Sequence, residues 1–159
     1  MYIPTSETEE EYYHVDEFPP VNAQLLYDCG HDIKCSGFTP LMLMVIQKDK
    51  RVLHYLDKYP YRIDEKNEQG FTALMLASLN GDVEMAKILL LAGANINIRN
   101  NIGYTSLMIA SKYNKLEQLI DLHIQYGADI NLQSNRGATA LISASCNSRS
   151  TSSNTIVQK

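Results

Sequence analysis

The stretch Gly70-Phe71-Thr72-Ala73-Leu74-Met75 has three counterparts in the same chain: GFTPLM at 37–42, GYTSLM at 103–108 and GATALI at 137–142. Their glycines are 33, 33 and 34 residues apart. A second series keeps the same phase, because Ile63, Ile96 and Ile130 each stand seven residues before the next glycine, in YRIDEKN, ANINIRN and ADINLQS. A period of this length, marked twice, identifies an array of small structural units.

Each unit can be read outward from its glycine. The glycine follows a polar stretch, as in Asn67-Glu68-Gln69, and can take the positive φ of a tight turn. The threonine two places later is a helix N-cap, whose hydroxyl accepts from the free amides of the first turn. Pro40, Ala73, Ser106 and Ala140 then fall at the first helical position, where even proline is tolerated. In the second unit this helix carries Leu74, Met75, Ala77 and Ser78, until Asn80-Gly81-Asp82 interrupts the apolar pattern. A second helix begins near Val83, with Val83, Ala86, Leu89 and Leu90 on one stripe and Gly93 as an αL cap past its end. The third unit repeats the pattern with Leu116, Leu119, Ile120 and Ile124 before Gly127. Helix pairs this short expose apolar residues on two sides, so neighbours must stack into one continuous core. The expected fold is an all-α solenoid.

The combination G-x-T-[PAS]-L, a small pair such as Ala77-Ser78, and LL-x-x-G-A-[ND]-I-N resembles the ankyrin repeat. The resemblance covers Gly37 to about Lys159, and reaches weakly back to Val21 through Gly30-His31-Asp32-Ile33. It divides the chain into an arm at 1–20, a degenerate capping unit at 21–33, repeats at 34–66, 67–99 and 100–133, and an incomplete repeat at 134–159. The histidine usual after the leucine is Met42, Met75, Met108 and Ile142 here, so apolar packing must replace the hydrogen bonding of the consensus. Pro60 stands where Gly93 and Gly127 close the second helix, and proline cannot supply positive φ, so the first loop must run differently. In the last unit, Asn147 to Asn154 replaces the tight turn and would start a second helix late, at Thr155-Ile156-Val157. The missing LL-x-x-G-A half suggests a fragment or a fraying last turn, and a monomer that self-associates through an uncapped end. The wording also resembles, in style, ankyrin proteins of giant amoeba-infecting viruses.

The resemblance implies a concave surface of turn tips and first-helix faces that binds a partner protein. Its positions here are Ser36, Phe38, Ile46 and Gln47 in the first unit, then Glu68, Gln69, Phe71, Leu79 and Asn80 in the second. In the third they are Asn101, Ile102, Tyr104, Lys112 and Tyr113. Phe38, Phe71 and Tyr104 share one register position, and stacking would align them as an aromatic row that ends at Ala138. Such a row either marks a binding surface or packs ring by ring on adjacent turns.

The remaining composition narrows the function. The formal charge of −4 divides into −8 over Met1 to Ile33 and +4 over the rest, with no basic cluster tighter than Lys48, Lys50 and Arg51, which argues against nucleic acid. No apolar run reaches membrane-spanning length and the start MYIPTSETEEEYY lacks a signal pattern. Cys29, Cys35 and Cys146 make no disulfide framework and fit a reducing, intracellular setting, cytoplasmic within a host cell if the chain is viral. Cys29, His31 and Cys35, with His14, have zinc-type ligands but lack two separated ligand pairs. The pairs Cys29–His31 and Cys146–His123 lack the supporting motif of a cysteine hydrolase. No catalytic residue, metal, cofactor or small-molecule substrate is expected. The segment Ser6 to Phe18, acidic and aromatic, reads as a solvated arm, a docking peptide or a cap folded over the stack. The expected function is noncatalytic protein binding; the alternative is the substrate-recruiting part of a larger regulatory assembly, such as a ubiquitin-ligase adaptor.

Overall fold

The computed structural model describes residues 37–114 and 116–145. The acidic arm, the capping unit at 21–33, all three cysteines and the late helix at Thr155–Val157 lie outside the described residues. Within them, α1 (Pro40–Gln47) pairs with α2 (Val52–Lys58), and α3 (Ala73–Leu79) with α4 (Val83–Leu91). Next, α5 (Ser106–Ile109) runs through a π turn at Ala110–Asn114 before α6 (Glu117–Gln125), and α7 (Ala140–Ser145) opens a fourth unit. There is no strand among the described residues.

The threonines start the first helices as expected. Thr39, Thr72 and Thr105 accept through Oγ1 from the backbone N–H of Met42, Met75 and Met108, at 3.3, 3.4 and 3.3 Å, and Thr139 does the same for Ile142 at 3.3 Å. Each such cap is worth about 1 kcal/mol. The methionines that replace the consensus histidine are 0%, 1% and 1% exposed, so thioether packing fills that slot. Ile142 departs from this and stays 46% exposed.

The first helices pack in sequence, α1 on α3, α3 on α5 and α5 on α7, while α4 lies against α6 in a second layer. Between the layers, Leu41, Leu74, Leu76, Leu89, Leu107, Leu119 and Ile120 are buried, each adding roughly 1.5–3 kcal/mol. The small pairs Ala77-Ser78 and Ala110-Ser111 are fully buried at the centre and permit close approach of the first helices.

Three local departures have identifiable causes. The 34-residue spacing is absorbed by the π turn, which takes up one inserted residue between the two helices of the third unit. Lys48 takes the left-handed conformation, φ 55°, at the position Gly81 occupies with φ 69° in the next unit. After α2, Tyr59 has φ −130° and Pro60–Arg62 forms a 3-10 turn, which is how the chain leaves a helix whose closing glycine is a proline. One expected stripe is corrected: Leu116 is 44% exposed because it precedes α6 as its N-cap, and the buried face is Leu119, Ile120, Leu122 and His123.

Candidate protein interface

The turns between units are built on one side chain each. Asn67 accepts through Oδ1 from the N–H groups of Gln69 and Phe71, at 3.1 and 2.9 Å. Asn100 does the same for Ile102 and Tyr104 at 3.2 and 2.9 Å, and Ser134 Oγ for Arg136 and Ala138 at 3.4 and 3.1 Å. These side chains stand three residues before each glycine, where a short acceptor mimics a backbone turn.

Adjacent turns are then joined edge to edge. Asn101 donates its backbone N–H to the Gln69 carbonyl at 3.0 Å and its Nδ2 to the Glu68 carbonyl at 2.7 Å. Asn135 repeats this one unit on, donating N–H to the Ile102 carbonyl at 3.0 Å and Nδ2 to the Asn101 carbonyl at 2.9 Å. Lower on the same edge, Asp64 accepts from the Asn95 N–H at 3.0 Å and Asn97 Oδ1 from the Asp129 N–H at 2.8 Å. The sequence shows these asparagines as turn residues; that they also bond between units is visible only in their equal spacing, Asn101 to Asn135 matching Gly103 to Gly137.

On this ladder Glu68 and Asn101 are exposed, and Gln69 and Ile102 half-buried. Ile46, Gln47 and Asn80, at the ends of first helices, are half-buried too. Phe38 lines a cleft of about 280 Å³ with Thr39, Pro40, Leu43, Arg62 and Glu65. Tyr104, Lys112 and Tyr113 come together in the third unit: Lys112 Nζ is 5.6 Å from the Tyr104 ring centroid and 4.9 Å from that of Tyr113. The π turn supplies the local geometry in which Lys112 and Tyr113 meet Tyr104. Ser36 lies outside the described residues.

Two expected surface positions are corrected. Phe71 is 1% exposed and Leu79 0%, both within the hydrophobic core cluster, so the aromatic row is interrupted in the middle unit. The physical reason is the area at stake, since an aromatic ring or a leucine that can reach a core gains more there than in water.

The sequence reading missed a second aromatic and basic group at the first loop. Tyr59 packs with its ring tilted at 5.1 Å from Tyr55 and edge-on at 6.4 Å to Tyr61, with Lys58 Nζ 5.2 Å and the Arg62 guanidinium 5.7 Å from its ring. Tyr61 is 73% exposed. The signal was the run Lys58-Tyr59-Pro60-Tyr61-Arg62, read only for its proline. Beside it, Leu53, Leu56, Asp57 and Pro60 face Ile88, Leu91 and Ala92 across a groove of about 520 Å³ between α2 and α4.

The Arg51 guanidinium beside Asp49, 2.6 Å away, holds that carboxyl below the usual carboxylate range. No cluster of potential metal ligands and no helix long and apolar enough to cross a membrane occurs among the described residues.

Comparison with known proteins agrees with this architecture. No curated protein matches the chain. A family model described as ankyrin repeats (3 copies) matches residues 19–100 and again 78–158. Ankyrin repeats are generally protein–protein interaction modules, typically noncatalytic. With two overlapping matches that run through nearly its whole length, this chain belongs to the ankyrin-repeat family.

Proposed function

We propose that the chain is a noncatalytic binding module that docks a partner protein on its turn tips and the adjoining ends of its first helices. The observation that carries this reading is the edge-to-edge ladder from Asn101 to the carbonyls of Glu68 and Gln69, continued by Asn135. It fixes neighbouring turns before any partner arrives, so little ordering entropy is lost on docking. The contact residues are Phe38, Ile46, Gln47, Glu68, Gln69, Asn80, Asn101, Ile102, Tyr104, Lys112 and Tyr113; the expected Ser36 lies outside the described residues. Tyr104 and Tyr113, held by Lys112 between them, serve as aromatic anchors.

A second reading, a substrate-recruiting adaptor that also engages a larger assembly, is favoured by the groove between α2 and α4. There Leu53 and Leu91 are 55% and 67% exposed on the side away from the turns. A photo-crosslinking residue placed singly at Glu68 and Ile102, and at Lys87 and Leu91, separates the two in lysate. One shared adduct from Glu68 and Ile102 alone supports the turn-tip module; a different adduct from Lys87 and Leu91 supports the adaptor. Adducts from Lys87 and Leu91 only would move the interface to the groove and refute the turn-tip reading.

A further inference from the structure

The third unit carries a histidine where the others carry leucine. Counted back four places from the loop residues Pro60, Gly93 and Gly127, the second helices present Leu56, Leu89 and His123. All three are buried, at 5%, 0% and 0% exposure. His123 reaches outside its own unit. Its Nδ1 is 2.7 Å from the Leu119 carbonyl, one turn earlier in α6, and its Nε2 is 3.0 Å from Ser78 Oγ, in α3 of the preceding unit. A carbonyl only accepts, so Nδ1 carries the hydrogen, and in the neutral ring Nε2 is a bare acceptor. Ser78 Oγ is also 2.9 Å from the Leu74 carbonyl, and its single hydroxyl hydrogen serves one of these two contacts at a time.

Protonation acts on this arrangement in two opposed ways. An Nε2–H would donate to Ser78 Oγ and release the hydroxyl hydrogen to Leu74, so that all three contacts are made. Against this, a full charge enters a site with no solvent exposure, a cost larger than one hydrogen bond returns. The elements around the ring offer little compensation. Helix α3 has no titratable side chain; α4 has Glu84 and Lys87, both exposed; the π turn has Lys112 and Tyr113; and α6 itself has the exposed Glu117 and the half-buried Asp121. Neither contact of the ring nitrogens is to a carboxylate, since Nδ1 meets the Leu119 carbonyl and Nε2 the Ser78 hydroxyl. Burial accordingly pushes the His123 pKa below the ordinary histidine value, with the Leu119 carbonyl pulling weakly the other way.

We propose that the His123–Ser78 contact is a pH-sensitive latch between the second and third units, one that holds while the imidazole is neutral and gives way on acidification together with the helices it joins. The sign follows from linkage: the unfolded chain binds the proton more readily than the folded one. The stability that the closed latch contributes is therefore fully present above the unfolded value of about 6.5 and is progressively lost as pH falls below it. The contact joins the second unit to the third, which carries Tyr104, Lys112 and Tyr113. If the folded ring stays neutral, this one group weakens the folding equilibrium by at most about thirtyfold between pH 7.5 and 5.0.

The test is urea denaturation of the whole chain at pH 7.5 and 5.0, followed by circular dichroism, for wild type and His123→Leu. Leucine is the residue the other units hold in this slot. Wild type is expected to lose ten- to thirtyfold more of its folding equilibrium than the variant across that interval; equal losses overturn the latch. Should His123→Leu fail to fold, imidazole NMR of the wild type decides. A ring that keeps its Nδ1–H neutral form down to the pH at which helical signal disappears supports the proposal. A ring that protonates near pH 6.5 with the helices intact overturns it.

Discussion

Alanine at Gly70 and at Gly137 makes the same chemical change in the same kind of turn, yet the structure assigns the two different costs. Both glycines have positive φ, 80° and 79°, so a Cβ introduces a left-handed strain of about 1 kcal/mol at either. At Gly137 a Cβ meets nothing within 4 Å, and the strain is the whole effect. At Gly70 it would stand 2.6 Å from Asn101 Oδ1 and 2.8 Å from Asn101 N, closer than real Cβ contacts. The side chain could turn aside, but the backbone nitrogen belongs to the next unit, so the two turns must separate. That separation strains the bonds from Asn101 N to Gln69, 3.0 Å, and from Asn101 Nδ2 to Glu68, 2.7 Å. At about 1 kcal/mol each, their loss brings Gly70→Ala to about 3 kcal/mol against about 1 for Gly137→Ala. Gly103, whose Cβ would stand 2.7 Å from Asn135 N, is expected to behave like Gly70. Urea unfolding monitored at 222 nm, with all three variants on one protein preparation, measures the differences. Equal costs at Gly70 and Gly137 would refute the claim that neighbouring turns seat on these glycines.

Other expectations are checked on the same apparatus. Asn100→Ala removes the acceptor of two amides, Ile102 N–H and Tyr104 N–H, at a residue only 5% exposed, and should cost about 2 kcal/mol. Its unfolding midpoint should fall accordingly; an unchanged midpoint would mean that water replaces the side chain freely. Leu116→Asp should stabilise: Asp82, at the equivalent N-cap of α4, accepts from Met85 N–H at 3.0 Å, whereas Leu116 caps nothing and is 44% exposed. The cap adds about 1 kcal/mol, less what the leucine loses in partial burial, so the melting temperature should rise by a few degrees. A fall would show that Leu116 packs more than its exposure implies.

Much of the fold was legible because its signals are local. A glycine, a threonine two residues on and a break of Asn-Gly-Asp type each act within their own turn, so Thr72 and Asp82 cap α3 and α4 where the sequence puts them. The burial of Phe71 and Leu79 was not legible, because in a stacked array exposure depends on what the neighbouring unit presents. No single-unit pattern distinguishes Phe71, 1% exposed, from the half-buried Phe38 and Tyr104 at the same register. The extra residue of the third unit was visible as a spacing of 34, but its form as a π turn depends on both flanking helices keeping their core contacts. His123 had a readable signal in its distance from Gly127, which equals that of Leu89 from Gly93. Weighed only as a partner for Cys146, it was read from its chemistry and not from its register.

Two kinds of contact join the units, and they do different work for a binding surface. The apolar layer between first helices supplies most of the energy, but that energy has little direction: Leu74, Leu107 and their neighbours would tolerate a small slip with modest loss. The asparagine ladder contributes far less and is strict, because a hydrogen bond is lost within an ångström of displacement. Helices of 7 and 9 residues are too short to hold their own shape in water, so the turn tips are ordered only as far as their neighbours order them. Spacing between Glu68, Asn101 and Asn135 is therefore set by groups on the exposed edge, while resistance to unfolding is set in the core. A repeat array organised in this way can change its surface residues, and even accept an inserted residue at Ala110–Asn114, without moving the turns that present them. The constraint on turn spacing lies in the ladder, and the freedom lies in the side chains that stand beside it.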